Sequence, residues 1–464
     1  MIISTKGFAS IITALFLFSV TLISTQQLQF TDATTACVGY EAGVNTITIT
    51  CNASFLDVVQ AINDPAILEQ EEGEVGQYIL KANLEVRDGV TFEMTSNAVD
   101  NLRYLKIVGA NGIIVYGKIL INGVKITSWD VSDDDVVQQD MNGTILRGYV
   151  QFAASEGSQV INSEFGYLGD LEPGRRGFDL FGGAGPSHDM EIRGSKFHDM
   201  WMAFYSKGAY NITVDGNEYY NNIKYALDPH TVTHDMNITN NWLHNNPIGA
   251  ICSDDCYNIL IEGNLAEDNS NAGIFLSRNM TNSIVRNNHI INSNSGILVS
   301  ESPNNQIYNN TIEEATEEGI LLFNPSVIDD APTEGNVIYN NIIFDSDNGV
   351  RATRSQNNIV ENTTFSDIES SEYHLAANSN IMIRAQQFDN ALISGGGEDT
   401  TTDTTADIAI ENLVEIAGSG IIEVAEGAND GEEDDGEAEE NSYNTDIQPY
   451  TTILGDGDSI TVNS

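Results

Sequence analysis

The stretch Tyr225-Ala226-Leu227-Asp228-Pro229-His230 places a phenol, a carboxyl and an imidazole close together in the chain. These groups suit proton transfer at carbon. An imidazole titrates near neutrality and serves as a base. A carbon-bound proton becomes removable when it lies alpha to a carboxylate, as at C5 of a uronate. A cation or acid must then offset the charge that grows on that carboxylate. His230 is the candidate base. Asp228 orients a neighbour or, if protonated, bonds the carboxylate. Tyr225 exchanges a proton from the opposite face. Lys207 and Arg278 are the candidate cations, with Lys224, Arg175 and Arg176 as further substrate contacts.

Such residues act together only if the fold aligns them, and the middle of the chain is a repeat. The segments ITVDGNEYYNN, MNITNNWLHNN, ILIEGNLAEDN, SIVRNNHIINS, NQIYNNTIEEA and NVIYNNIIFDS share one pattern. An asparagine recurs at 217, 241, 264, 288, 310, 341 and 362, and a glycine at 249, 273, 296, 319 and 349. Two markers with one period mean a solenoid. The apolar residues are β-branched and alternate at period two, which is strand patterning rather than a leucine-rich repeat. Asn and Gly suit left-handed corners, and stacked amides bond from rung to rung. The expected fold is therefore all-β, a single-stranded parallel β-helix. The amphipathic positions Phe55, Val58, Val59 and Ile62 predict a helix capping its open end.

Equal offsets from the marker fall in columns about 5 Å apart. Four residues beyond it stand Lys207, His230, Ser253 and Ser277. One further stand Gly208, Thr231, Asp254 and Arg278. Lys207 is thus expected one rung before His230, and Arg278 two rungs after. The Gly-rich segment 169–189 reads as an irregular insert projecting over one face.

The expected divisions are a signal peptide at 1–25, an N-terminal cap at 37–74, the β-helix at 75–393 and an acidic low-complexity tail at 394–464. The signal rests on Lys6 followed by the apolar run Ile11–Ile23, and it implies a secreted or cell-surface protein. Export favours disulfides, Cys37 with Cys51 and, with a buried free pair or a metal clip as the alternative, Cys252 with Cys256. It also suits the sequons at Asn52, Asn142, Asn211, Asn237, Asn279, Asn309 and Asn362. The tail is expected to be without fixed structure. The 19 Lys and Arg against 68 Asp and Glu give a net charge of −49, which argues against nucleic acid and anionic membranes as partners. An acidic polysaccharide then needs the few cations gathered, and eight of the 19 lie between Arg175 and Arg286. His234, His244 and Asp254-Asp255 read as solvated corners rather than ligands, so neither metal nor cofactor is expected. A monomer is expected.

The motif at 225–230 resembles the Tyr-Gly-x-Asp-Pro-His motif of mannuronan C5-epimerases. The likeness runs over 203–241 and is greater to the periplasmic bacterial type. The resemblance implies a right-handed β-helix, His230 as base, and Tyr225 and Asp228 in the site. It also implies basic residues on adjacent rungs that neutralise a uronate carboxylate. One departure stands out. The periplasmic type carries Ser-Arg on the rung after the motif, where this chain has Ser253-Asp254, with Ser277-Arg278 one rung later. The calcium-binding nonapeptides of the modular type are absent. A polysaccharide lyase on the same scaffold and a non-catalytic carbohydrate-binding or cell-surface β-helix are the competing readings.

Overall fold

The computed structural model describes residues 37–384, apart from 182, 326–330 and 377–378, and a few short strands beyond 384. The segment read as a signal peptide, and most of that read as the acidic tail, lie outside the described residues. The chain winds into a right-handed parallel β-helix of about 12 turns. A 14-stranded sheet runs down one face and a 25-stranded sheet wraps the remainder.

Period-two patterning explains the stack. In the 14-stranded sheet, Ile192, Val214, Ile238, Ile261, Val285, Ile307, Ile338 and Val360 stand in one parallel register. All eight are buried, so each rung adds one β-branched residue to a continuous core. Pairing of Gln306 with Val337 keeps register across the long step.

The corners are held by asparagine ladders. The Asn241 side-chain amide donates to Val214 O and to Asn264 Oδ1, both at 3.0 Å, and its own Oδ1 accepts from Asn217. The ladder runs from Asn217 to Asn341. Two shorter ladders join Asn222, Asn246 and Asn269, and Asn305, Asn336 and Asn358. Each buried amide meets partners on the rungs above and below, which removes the penalty for burying it. The expected marker Asn362 belongs elsewhere. It is exposed and donates to Asn340 Oδ1 at 2.7 Å, and the ladder position on that rung falls to Thr363. The glycine column leaves no room for a side chain, since a Cβ on Gly249 would lie 2.5 Å from Gly273 O.

At the N-terminus, the helix Phe55–Ile62 has a Ser54/Asp57 capping box and buries Phe55 and Val58 against the first rungs. Phe55 packs edge-on to Tyr78 at 5.0 Å. The Cys37–Cys51 disulfide closes the hairpin beside it.

Two expectations are corrected. Cys252 and Cys256 are not bonded; both are buried free thiols. The intervening Asp254 and Asp255 take left-handed φ of 59° and 65°. The Cys256 thiol donates to Ser253 O and Pro229 O instead. The segment 169–189 is not wholly an insert, because its strand Gly177–Leu180 pairs with Tyr149–Phe152 and Met202–Lys207 and buries Phe178. Glycines at positive φ on either side, including Gly174 and Gly183, disguised a regular rung.

Candidate functional site

The strand Met202–Lys207 lies parallel to Tyr225–His230, with Lys207 opposite His230 and Tyr205 opposite Asp228. Gly177–Leu180 lies one rung earlier and sets Asp179 opposite Tyr205. On the other side His230 opposes Ser253. Leu227 points into the core, so alternation turns Asp228 and His230 to the outer face. Asp179, Tyr205 and Asp228 form one outward column, and Lys207 and His230 another.

His230 is half-buried. Its Nδ1 is 2.7 Å from Thr231 Oγ1 and its Nε2 is 3.4 Å from Asp254 Oδ2. The ring lies 5.4 Å from that of Tyr205. Burial holds the imidazole below its ordinary range. Asp254 opposes that effect, while Arg176, Arg278 and Lys207 add to it. Next in the chain, Thr231 and Val232 take φ of 37° and 53°. A β-branched residue there is strained, at a cost of roughly 1–3 kcal/mol. The turn also aims Thr231 Oγ1 at the imidazole.

Asp228 is buried, and its Oδ1 meets no hydrogen-bond partner. Burial pushes its carboxyl well above the ordinary range, opposed by Arg176 and reinforced by Asp254 and Asp179. When protonated, Asp228 can donate a hydrogen bond. Burial also raises Asp179 to about 7, against the pull of Arg176. Arg176 Nη1 stands 3.5 Å from Asp179 Oδ2, and its guanidinium lies 3.9 Å over the Tyr205 ring. The Tyr205 phenol is pushed up to about 12, first by burial.

The remaining sequence candidates divide. Lys207 sits 5.2 Å over the Phe181 ring and Lys224 5.5 Å over Trp201. Among the described residues neither ammonium has a carboxylate within ion-pair distance. Arg175 is bound to Asp170 and lies 5.4 Å over Tyr149, away from His230's immediate contacts. Arg278 is exposed and faces Asp254 Oδ1 at 3.6 Å. Asp254 therefore stands between His230 and Arg278. Tyr225 occupies the far end of the strand, beside an outer cluster of Ile248, Ile251 and Ala272.

Sequence reasoning missed Asp179, Tyr205 and Asp254 as site residues. The Tyr205 signal was present, since it precedes Lys207 by the offset at which Asp228 precedes His230. Asp179 was hidden by its glycine-rich flanks. His234 and His244 are bound in ring stacks with Tyr210 and Tyr257, and with Tyr220 and Trp242. At another corner Glu156, His188 and Asp189 bring possible ligand atoms within 4.8 Å of one another.

The family model described as right handed beta helix region matches residues 150–289 and 181–329. A mannuronan C5-epimerase of Pseudomonas syringae pv. tomato is 26% identical over 225 residues, covering 46% of this chain and 41% of that protein. This chain resembles the mannuronan C5-epimerases. A second, from Pseudomonas putida, is 33% identical over 101 residues, 21% of this chain and 20% of its own length. The chain thus spans less than half the length of these curated relatives. The crystal structure of the periplasmic alginate epimerase AlgG shares the fold, with a TM-score of 0.57 and 18% identity, over 82% of this chain and 85% of that one.

Proposed function

We propose that this chain is an exported C5-epimerase of uronate residues in an acidic polysaccharide. The observation that carries the reading is the meeting, on one outer face, of an imidazole held below its ordinary range, an ammonium with no carboxylate within ion-pair distance among the described residues, and a buried carboxyl held well above its ordinary range. His230 removes the C5 proton. Lys207 and protonated Asp228 hold the uronate carboxylate as charge spreads onto it. Arg176 adds positive field from the preceding rungs. A tyrosine then returns a proton to the opposite face, so the polymer leaves uncleaved with C5 inverted. Tyr205 stands beside the His230 ring and Tyr225 at the far end of the same strand as His230, and separate Phe substitutions distinguish them. The similarity to mannuronan C5-epimerases supports an acidic, uronate-bearing polysaccharide as the substrate.

The test is solvent deuterium incorporated at C5 of a polyuronate. His230→Ala should keep fold and polymer binding and lower exchange by roughly 10²- to 10⁴-fold, and Lys207→Ala should lower it too. Full exchange in both variants refutes the assignment. An unsaturated, ultraviolet-absorbing product shows lyase action instead. A non-catalytic sugar-binding role is favoured by one observation, the Asp254 carboxylate held against His230 and Arg278. That role gives binding with no exchange in the native chain.

A further inference from the structure

The groove is chemically different on the two sides of His230. Toward the N-terminus lie Lys207, with no carboxylate within ion-pair distance among the described residues, and Arg176, 3.5 Å from Asp179, with Lys224 on the reacting rung itself. Toward the C-terminus the outward column that holds Asp228 continues as Ile251, Phe275, Leu298 and Leu321, in continuous parallel register. The column that holds His230 continues as Ser253, Ser277 and Ser300. Among the described residues none of these three serine hydroxyls has a hydrogen-bond partner. The cations on this side are engaged by the protein itself, Arg278 by Asp254 at 3.6 Å, Arg351 by Glu318 at 3.0 Å, and Arg354 by the Asn324 carbonyl at 2.8 Å and the Phe323 ring. Phe275, Leu298 and Leu321 are half-buried, each flush with the outer face.

An apolar stripe bordered by free hydroxyls, with its cations already engaged by the protein, is a poor surface for a carboxylate. Burying a carboxylate without a cation is costly. The stripe suits a neutral pyranose, whose C–H face packs on apolar and aromatic side chains while its hydroxyls bond to serines. Rungs stand about 4.8 Å apart, so Ile251 and Phe275 lie one and two rungs from Asp228, within reach of the sugars next to the reacting one.

We propose that the groove on the C-terminal side of His230 is a subsite for neutral sugars, so that the substrate is a heteropolymer. In it the reacting uronate is flanked on one side by uncharged pyranose. This rests on the epimerase reading and adds the substrate's composition to it.

The test measures binding by calorimetry for the native chain and for Phe275→Ala, with a thermal melt to check that the variant folds. The probes are a uronate disaccharide, a triuronate, and trisaccharides of one uronate and two neutral hexoses in both linkage orders. One mixed trisaccharide should bind tighter than the triuronate, and Phe275→Ala should weaken that one by at least about fivefold, with the disaccharide unchanged. If the triuronate binds as tightly or tighter, and Phe275→Ala alters nothing, the neutral subsite is refuted and the uronate site stands. If no probe binds the native chain, both fall.

Discussion

The cost of keeping acids in the groove can be measured at Asp179. Its side chain is buried, and burial raises its carboxyl from 3.8 to about 7. At 1.36 kcal/mol per tenfold change in acidity, that rise corresponds to about 4 kcal/mol. The sign follows from proton binding. Between 3.8 and about 7 the folded chain holds a proton that the unfolded chain has released, so rising pH destabilises the fold until both are ionised. Asp179→Asn removes this penalty. Below pH 3.8 the variant and native chains should be equally stable. Above pH 7 the variant should gain up to about 4 kcal/mol, less whatever its amide loses at Arg176. Denaturant unfolding of both chains at pH 4, 6 and 8 makes the comparison, and differencing the two cancels the other 67 acids. A pH-independent difference, or greater instability of the variant at pH 8, would show that the Arg176 pair outweighs burial. The same substitution leaves Arg176 uncompensated, so oligouronate should bind tighter above pH 7.

Other expectations concern the scaffold and its titration. Asn264→Ala breaks both amide contacts of one ladder rung and should lower stability by roughly 2–3 kcal/mol; a change under 0.5 kcal/mol by denaturant unfolding counts against the ladder. Val232→Gly relieves left-handed strain and should stabilise by about 1 kcal/mol, read as a raised melting temperature. Glu164 is lowered to about 2, chiefly by its hydrogen bond with His198, and His198 is raised by Asp199 and Glu164 against burial. The Glu164 contribution is present above pH 4.5 and lost toward 2, while that of His198 is present below 6.5 and lost as pH rises through its folded value. Glu164→Gln should therefore cost most between about pH 4.5 and 6.5, and a uniform loss from pH 3 to 9 would contradict the assignment.

Much of the architecture was legible because a solenoid repeats its local rules. Apolar alternation fixed the faces, and the glycine column fixed the offset that sets Lys207 beside His230. The failures have physical causes. Asn362 and Thr363 differ by one residue, and only backbone pairing tells a ladder amide from a corner amide. The rung at Gly177–Leu180 lies between glycines at positive φ that disguised it. The Cys252 and Cys256 spacing allowed a bond that the left-handed Asp254-Asp255 turn replaces with thiol-to-carbonyl contacts. Asp254 was read as a departure at one position. Its contacts with both His230 and Arg278 are a property of three stacked rungs.

The net charge of −49 bears directly on how a polyanion can dock here. Long-range repulsion between exposed charges is screened within about 10 Å at 0.1 M salt, so the decisive charges are those inside the groove. Three acids border it. If all were ionised, Asp179, Asp228 and Asp254 would offset Arg176, Lys207 and Arg278, leaving little pull on a carboxylate. Burial opposes this by pushing the Asp228 carboxyl well above its ordinary range and that of Asp179 to about 7. Arg176 and Lys207 then keep their field on the N-terminal side, while Asp254 cancels Arg278 on the other. A desolvated carboxyl column therefore produces a locally cationic half-groove in an acidic protein, and it supplies a hydrogen-bond donor in the same place. The desolvation that destabilises the fold at Asp179 thus also creates an electrostatic asymmetry, which on the proposed reading orients the substrate.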